Sequence, residues 1–145
     1  MKQPEDVKRE FTVQWLKKAE GDYGTAEQLL FSSAVHMEAV AFHCQQAVEK
    51  YLKALLVWNQ VEFTKTHDIQ MLLKVASNSA PDLPEHLAEA ATLTPYGVEY
   101  RYPGDYPDVT EYDARKAFEI ADKVRSAVLH NLPKDILVLK QIIPR

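Results

Sequence analysis

Residues 37–59 read MEAVAFHCQQAVEKYLKALLVWN, with neither Pro nor Gly to interrupt a helix. At about 100° per residue, Val40, Cys44, Ala47, Tyr51, Ala54, Leu55 and Trp58 fall on one stripe, and Ala41, Val48, Leu52 and Leu56 widen it to roughly 200°. A helix apolar over more than half its circumference must be enclosed by neighbours, so this stretch predicts the hub of a helical bundle. His43, Gln46, Glu49, Lys50 and Lys53 occupy the remaining arc. Gln45 falls in the apolar sector, where an amide is costly unless it is hydrogen-bonded.

A chain of 145 residues suits one domain, 1–145, with a core that needs no staples. The apolar fraction of 46% and charged fraction of 26% fit a globular protein, and no apolar run approaches the roughly 18 residues of a membrane span. The opening MKQPEDVKRE is too polar for a secretory signal, so a cytoplasmic location is expected. A net charge of −4 argues against a surface that is one continuous nucleic-acid footprint and leaves room for a local basic groove. The lone Cys44 has no partner for a disulfide and reads as a small core residue.

Outward from the hub, a first helix is predicted from just after Pro4 to about Phe31, with Val7, Phe11, Trp15, Ala19, Tyr23, Ala26, Leu29 and Leu30 on its buried face. Residues 32–36 form a short connection, with Ser32 or Ser33 as an N-cap, which sets the two helices antiparallel. Gly21 and Gly24 lie off that face, open either to close approach by another chain or to simple exposure. Asp22 falls on the apolar side and requires a cation, for which Lys50, Lys53 and Arg101 are the candidates. The pair then serves as a register-fixing internal bridge or as one wall of a polar pocket.

After the hub, Ile69, Leu72, Leu73 and Ala76 predict a third helix, N-capped by Thr66 with Asp68 in its first turn. Lys65 and His67 remain, as loop anchors or ligand contacts. Pro84 suits the first turn of a short fourth segment carrying Leu87, Ala90, Ala91 and Leu93. Residues 94–109, TPYGVEYRYPGDYPDV, predict an irregular loop in which Arg101 lies between Tyr100 and Tyr102, a cation with stacking faces. Thr110 and Asp113 form a capping box opening a last long helix with Ala114, Ala117, Phe118, Ala121, Val124 and Val128 on one stripe, ended at 131–133. The tail, from Ile136 to Ile143, is apolar enough to pack on its own subunit or another.

Trp15, Ala19, Asp22 and Ala26, then Gln45-Gln46-Ala47 with Glu49-Lys50 and Lys53-Ala54, then Thr66-His67-Asp68 and Arg101-Tyr102-Pro103, together resemble a HEPN (higher eukaryotes and prokaryotes nucleotide-binding) domain over about residues 5–130. The resemblance implies an all-α, up-down antiparallel bundle of four to five helices with the Tyr/Pro-rich loop before the last long one. It also implies a homodimer and a separately encoded minimal nucleotidyltransferase as partner, as in toxin–antitoxin pairs. Some such families are metal-independent ribonuclease toxins marked by Arg, four to six residues, then His. Arg125 and His130 have that spacing, and would stabilise phosphate charge and shuttle the 2′-hydroxyl proton respectively. Active versions commonly carry Asn after the Arg and Tyr two positions past the His, where this chain has Ser126 and Leu132.

Three function classes therefore stand. Gln46, Lys50 and Lys53 share one helix face, and with Lys65, His67, Arg101 and Tyr102 would bind a nucleotide or RNA, with Asp22, Gln45 and Glu49 as structural polar groups. Without the resemblance, the same face reads as a solvated one on which Glu49 pairs with Lys53. The alternative is the endoribonuclease built on Arg125 and His130, and the third is a non-catalytic dimer that recruits a partner. With no Gly-rich phosphate loop and no His-Glu-x-x-His pattern, neither metal nor cofactor is expected.

Overall fold

A computed structural model describes residues 3–32, 36–98, 103–104 and 106–137. Among these there is helix and connection but no strand. Helix α1 spans Pro4–Leu30, α2 Met37–Trp58, α3 Ile69–Ser79, α4 Glu111–His130 and the short α5 Lys134–Leu137, with a 3₁₀ segment over Glu85–Gly97. The all-α bundle predicted from periodicity is what forms.

The hub is α2, which packs most extensively on α1 and also touches α3, α4 and the 3₁₀ segment. Its apolar stripe is enclosed as expected: Val40, Cys44, Ala47, Tyr51, Leu52, Leu55 and Leu56 are all fully buried. Tyr51 bonds Glu20 and Lys8 lies over Trp58, so α2 runs against α1. Arg125 bonds Glu20 and Arg9 bonds Asp135, which sets α4 and its extension against α1 too. The 60–68 connection doubles back, placing His67 beside Glu49 and Ser79 beside Asn59, so α3 lies along α2 in the same sense. That return covers part of the arc the periodicity leaves polar.

The buried face of α1 is Thr12, Leu16, Ala19, Tyr23, Ala26 and Leu30, with Trp15 and Leu29 partly buried beside it; of the expected stripe only Val7 and Phe11 fall outside, at 37% and 51% exposed, and Thr12 and Leu16 take their place. Lys8 is level with Trp58, the last residue of α2, so the first turn overhangs its partner. Thr12 tolerates burial because its hydroxyl bonds the Lys8 carbonyl at 2.9 Å. Gly21 and Gly24 have open space where a Cβ would stand, which favours simple exposure. Replacing either by Ala is expected to raise unfolding free energy by about 1 kcal/mol, read from urea denaturation.

Three caps differ from expectation. Ser32 closes α1 by bonding the Leu29 carbonyl, and α2 starts from His36 with no side-chain cap. Ser33 lies outside the described residues. Asp68, not Thr66, caps α3 by accepting from the Gln70 N–H, while Thr66 accepts from the Asp68 N–H one step earlier. Pro84 precedes the 3₁₀ segment as its cap, and that segment continues through Pro95 to Gly97, into the stretch predicted to be loop. Its i to i+3 bonding lets Pro95 sit inside at the cost of one donor. The α4 capping box forms as read, with Thr110 and Asp113 bonding reciprocally at 3.0 Å. Ile120 joins the buried face of α4, with Phe118 half-buried against Tyr23. At the start of the tail Ile136 is fully buried within the chain itself, and residues 138–145 lie outside the description. Among the described residues no helix is long and apolar enough to cross a membrane.

Candidate functional site

The arc of α2 that periodicity assigns to water is largely enclosed. Glu49 is 3% and Lys53 5% exposed, and Gln45 is completely buried. Burial of charge is tolerated only with full hydrogen bonding, and the network supplies it. Lys53 Nζ donates to Glu49 Oε1 at 2.8 Å, Gln45 Nε2 to Glu49 Oε2 at 3.0 Å, and His67 Nδ1 reaches Glu49 Oε1 at 2.9 Å. Gln46 Nε2 donates to Gln45 Oε1 at 2.6 Å. The Lys53 ammonium also lies 5.3 Å from the centre of the Trp15 ring. Burial pushes the Glu49 carboxyl up, yet hydrogen bonds from Lys53 and Gln45, the Lys53 charge and the His67 bond outweigh it and hold the group below its ordinary value. Over this network sits Gly97: a Cβ there would stand 2.7 Å from the Gln45 amide carbon, so only a residue without a side chain leaves Gln45 in place.

A second cluster joins α1 to the outer edge of the same face. Asp22 Oδ2 accepts from Lys50 Nζ at 2.5 Å and Oδ1 meets His43 Nδ1 at 2.8 Å. Lys50 is thus the cation Asp22 requires. His43 is a partner the sequence reading missed, since it stood simply as one more residue of the polar arc. Both clusters have the same composition, one carboxylate with one Lys and one His, so neither carries a surplus of positive charge when the histidines are neutral.

Arg125 does not line either cluster. Its Nε and Nη2 clamp Glu20 at 2.7 and 3.3 Å, its guanidinium lies 4.8 Å from the Tyr23 ring centre, and Tyr51 donates to the same Glu20 carboxylate at 2.7 Å. Burial pulls the guanidinium pKa down, but the Glu20 hydrogen bond and charge prevail and raise it, so Arg125 is a fixed cation. Desolvation, with Glu20 beside one ring and Asp122 bonded to the other, raises the Tyr51 and Tyr23 hydroxyls well above ordinary phenol. Both stay protonated as donors. His130 is exposed and lines a separate open groove of about 430 Å³ with Asp82, His86 and Ser126. Within one chain, Arg125 and His130 therefore face different surroundings, as their spacing along a helix requires.

Of the expected nucleotide-binding residues, Gln46, Lys53 and His67 belong to the Glu49 network and Lys50 to the Asp22 cluster. Lys65 is exposed and has no ion pair among the described residues. Arg101 and Tyr102 lie outside the described residues. Asp22, Gln45 and Glu49 hold the polar framework. Burial lifts the Cys44 thiol to about 12, which leaves it an inert core group. Among the described residues no three His, Cys, Asp or Glu side chains are grouped so as to hold a metal ion.

No curated protein and no solved structure matches the chain. The family model described as HEPN domain matches residues 12–132, which takes in α1 from Thr12, the hub helix, both polar clusters and all of α4. The chain belongs to the HEPN domain family, a membership that points to a role connected with nucleotides or RNA.

Proposed function

We propose that the protein is a nucleotide- or RNA-binding HEPN protein that acts as a homodimer with a separately encoded minimal nucleotidyltransferase, in a toxin–antitoxin-like pair. HEPN domains often dimerise. The observation that carries the binding reading is the enclosed Gln45–Glu49–Lys53–His67 network on the hub helix, continued to the half-buried Gln46. Well-packed apolar residues in these places would hold the bundle as well or better. A polar chain there, at some cost in stability, supports the reading of this face as a site. In a thermal melt with ATP, GTP or a short single-stranded RNA, at least one is expected to raise the melting temperature, and Gln46→Ala, a half-buried position, to lose that rise. A protein indifferent to all three ligands overturns the reading.

The endoribonuclease is the second reading, supported by the Arg125–His130 spacing and weakened by the Glu20 clamp. Its test is RNA cleavage in EDTA, with His130→Ala as the informative variant because that side chain is exposed. Cleavage that His130→Ala abolishes establishes this reading in place of the first.

A further inference from the structure

The Glu49 carboxylate sets the direction of every hydrogen bond around it. Held ionised by Lys53, Gln45 and His67, its two oxygens only accept. Gln45 must therefore turn its amide N–H to Oε2, which leaves its own Oε1 to face Gln46. Gln46 has to answer with one N–H of Nε2, so its Oε1, an acceptor, has no partner among the described residues, beside the second N–H of the same amide. His67 follows the same logic. Its Nδ1 donates to Glu49, and in the neutral ring Nε2 then carries the lone pair. The imidazole is 62% exposed and Nε2 has no hydrogen-bond partner among the described residues. Meanwhile Lys50 and Lys53, the cations of this face, are committed to Asp22 and Glu49.

We infer that Gln46 and His67 form an acceptor-bearing edge that reads the donors of a nucleoside, its sugar hydroxyls and exocyclic amino groups, and that this edge does not hold the phosphate chain. The inference rests on the nucleotide reading proposed above and narrows it. An ionised phosphate presents only acceptors, so it gains nothing from Gln46 Oε1 or from Nε2 of the neutral His67 ring. Hydroxyl and amino groups complete both free positions. A phosphate would have to be met elsewhere, and the exposed Lys65, two residues from His67 in the sequence, is a described cation for that role.

Calorimetric titration of the full-length protein with adenosine, guanosine, cytidine and uridine, and with their 5′-monophosphates and triphosphates, tests this. At least one nucleoside is expected to bind within about threefold of its own triphosphate, and to change little between about 0.05 and 0.5 M salt, since screening weakens only charge-driven contacts. His67→Phe keeps a ring at an exposed position and removes the Nε2 acceptor, together with the Nδ1 donor to Glu49. It is expected to weaken that nucleoside by about tenfold, the order of one hydrogen bond, in protein whose circular dichroism shows the fold retained although its melting temperature falls with the lost bond to Glu49. Gln46→Leu is expected to do the same, and Lys65→Ala to leave nucleoside binding unchanged. Triphosphates that bind with steep salt dependence while nucleosides do not bind overturn the inference and leave the nucleotide reading standing. So does nucleoside binding that His67→Phe leaves intact. Absence of binding by every ligand removes both.

Discussion

Lys53→Met is expected to lower the unfolding free energy by about 3–5 kcal/mol in urea denaturation at neutral pH. The substitution keeps most of the aliphatic stem and deletes the ammonium, with its charge and its hydrogen bond to Glu49. What makes it costly is the group left behind, since Glu49 is almost fully enclosed and loses the ammonium 2.8 Å away. Gln45 and His67 still donate to it, which places the loss toward the lower end of that range. Neutralising the survivor in Glu49→Gln/Lys53→Met is expected to recover most of the loss, because an amide in the same place needs hydrogen bonds but no countercharge. A double variant as unstable as the single one would show that the loss lies in packing and not in charge.

The same carboxylate gives the wild-type protein an acid-side dependence whose sign is fixed. Glu49 is lowered in the folded state, so the unfolded chain takes up its proton first as pH falls. Its contribution is whole above the ordinary carboxylate value of about 4.3 and drains away as pH drops through the lower folded value. In Lys53→Met the depression shrinks or reverses, so the acid-side loss that Glu49 contributes should be smaller than in the wild type, and should turn into a gain as pH falls if the folded value rises above the ordinary one.

That Glu49 and Lys53 are buried was not legible in the sequence, for a physical reason. Periodicity shows which side chains share an arc of α2, and it separated the apolar stripe correctly, from Val40 to Trp58. Whether the other arc meets water depends on what folds across it. Here that is the 60–68 return, which has no helical amphipathicity to announce its destination, and the 3₁₀ segment ending at Gly97, whose Leu87, Ala90 and Leu93 announce a buried face but not what it packs on. The Thr110–Asp113 capping box was readable because its bonds are local. That Asp22 takes a cation was readable because a carboxylate on an apolar face demands one, and it narrowed the choice to Lys50, Lys53 and Arg101, of which the fold selects Lys50. His43 and Glu20 had no such demand attached, since each stands on a face that looks adequately solvated until α1, α2 and α4 come together. Gly97 was one of the glycines of an irregular stretch, and only the Gln45 amide beneath it explains why a side chain is excluded.

Arg125→Ala is expected to cost about 2–4 kcal/mol, somewhat below a fully buried pair because Arg125 and Glu20 retain 18% and 13% exposure. The loss comes from stranding Glu20, which keeps only the Tyr51 hydroxyl, and from emptying the space beside Tyr23. Arg125→Lys should fall between the two, since one ammonium cannot span both carboxylate oxygens as the guanidinium fork does. His130→Ala, at an exposed position, should stay within about 0.5 kcal/mol of wild type. This ordering decides how any ribonuclease assay must be interpreted. Lost cleavage in Arg125→Ala would report unfolding as readily as chemistry, whereas lost cleavage in His130→Ala would report chemistry alone. Glu20→Gln separates the roles of Arg125 itself. If the arginine serves RNA, loosening its clamp leaves the guanidinium freer to meet phosphate, and cleavage per folded molecule should rise even as stability falls. If it is the tie between α1 and α4, stability falls and nothing else changes, and the second outcome is the one the Glu20–Arg125–Tyr51 geometry predicts.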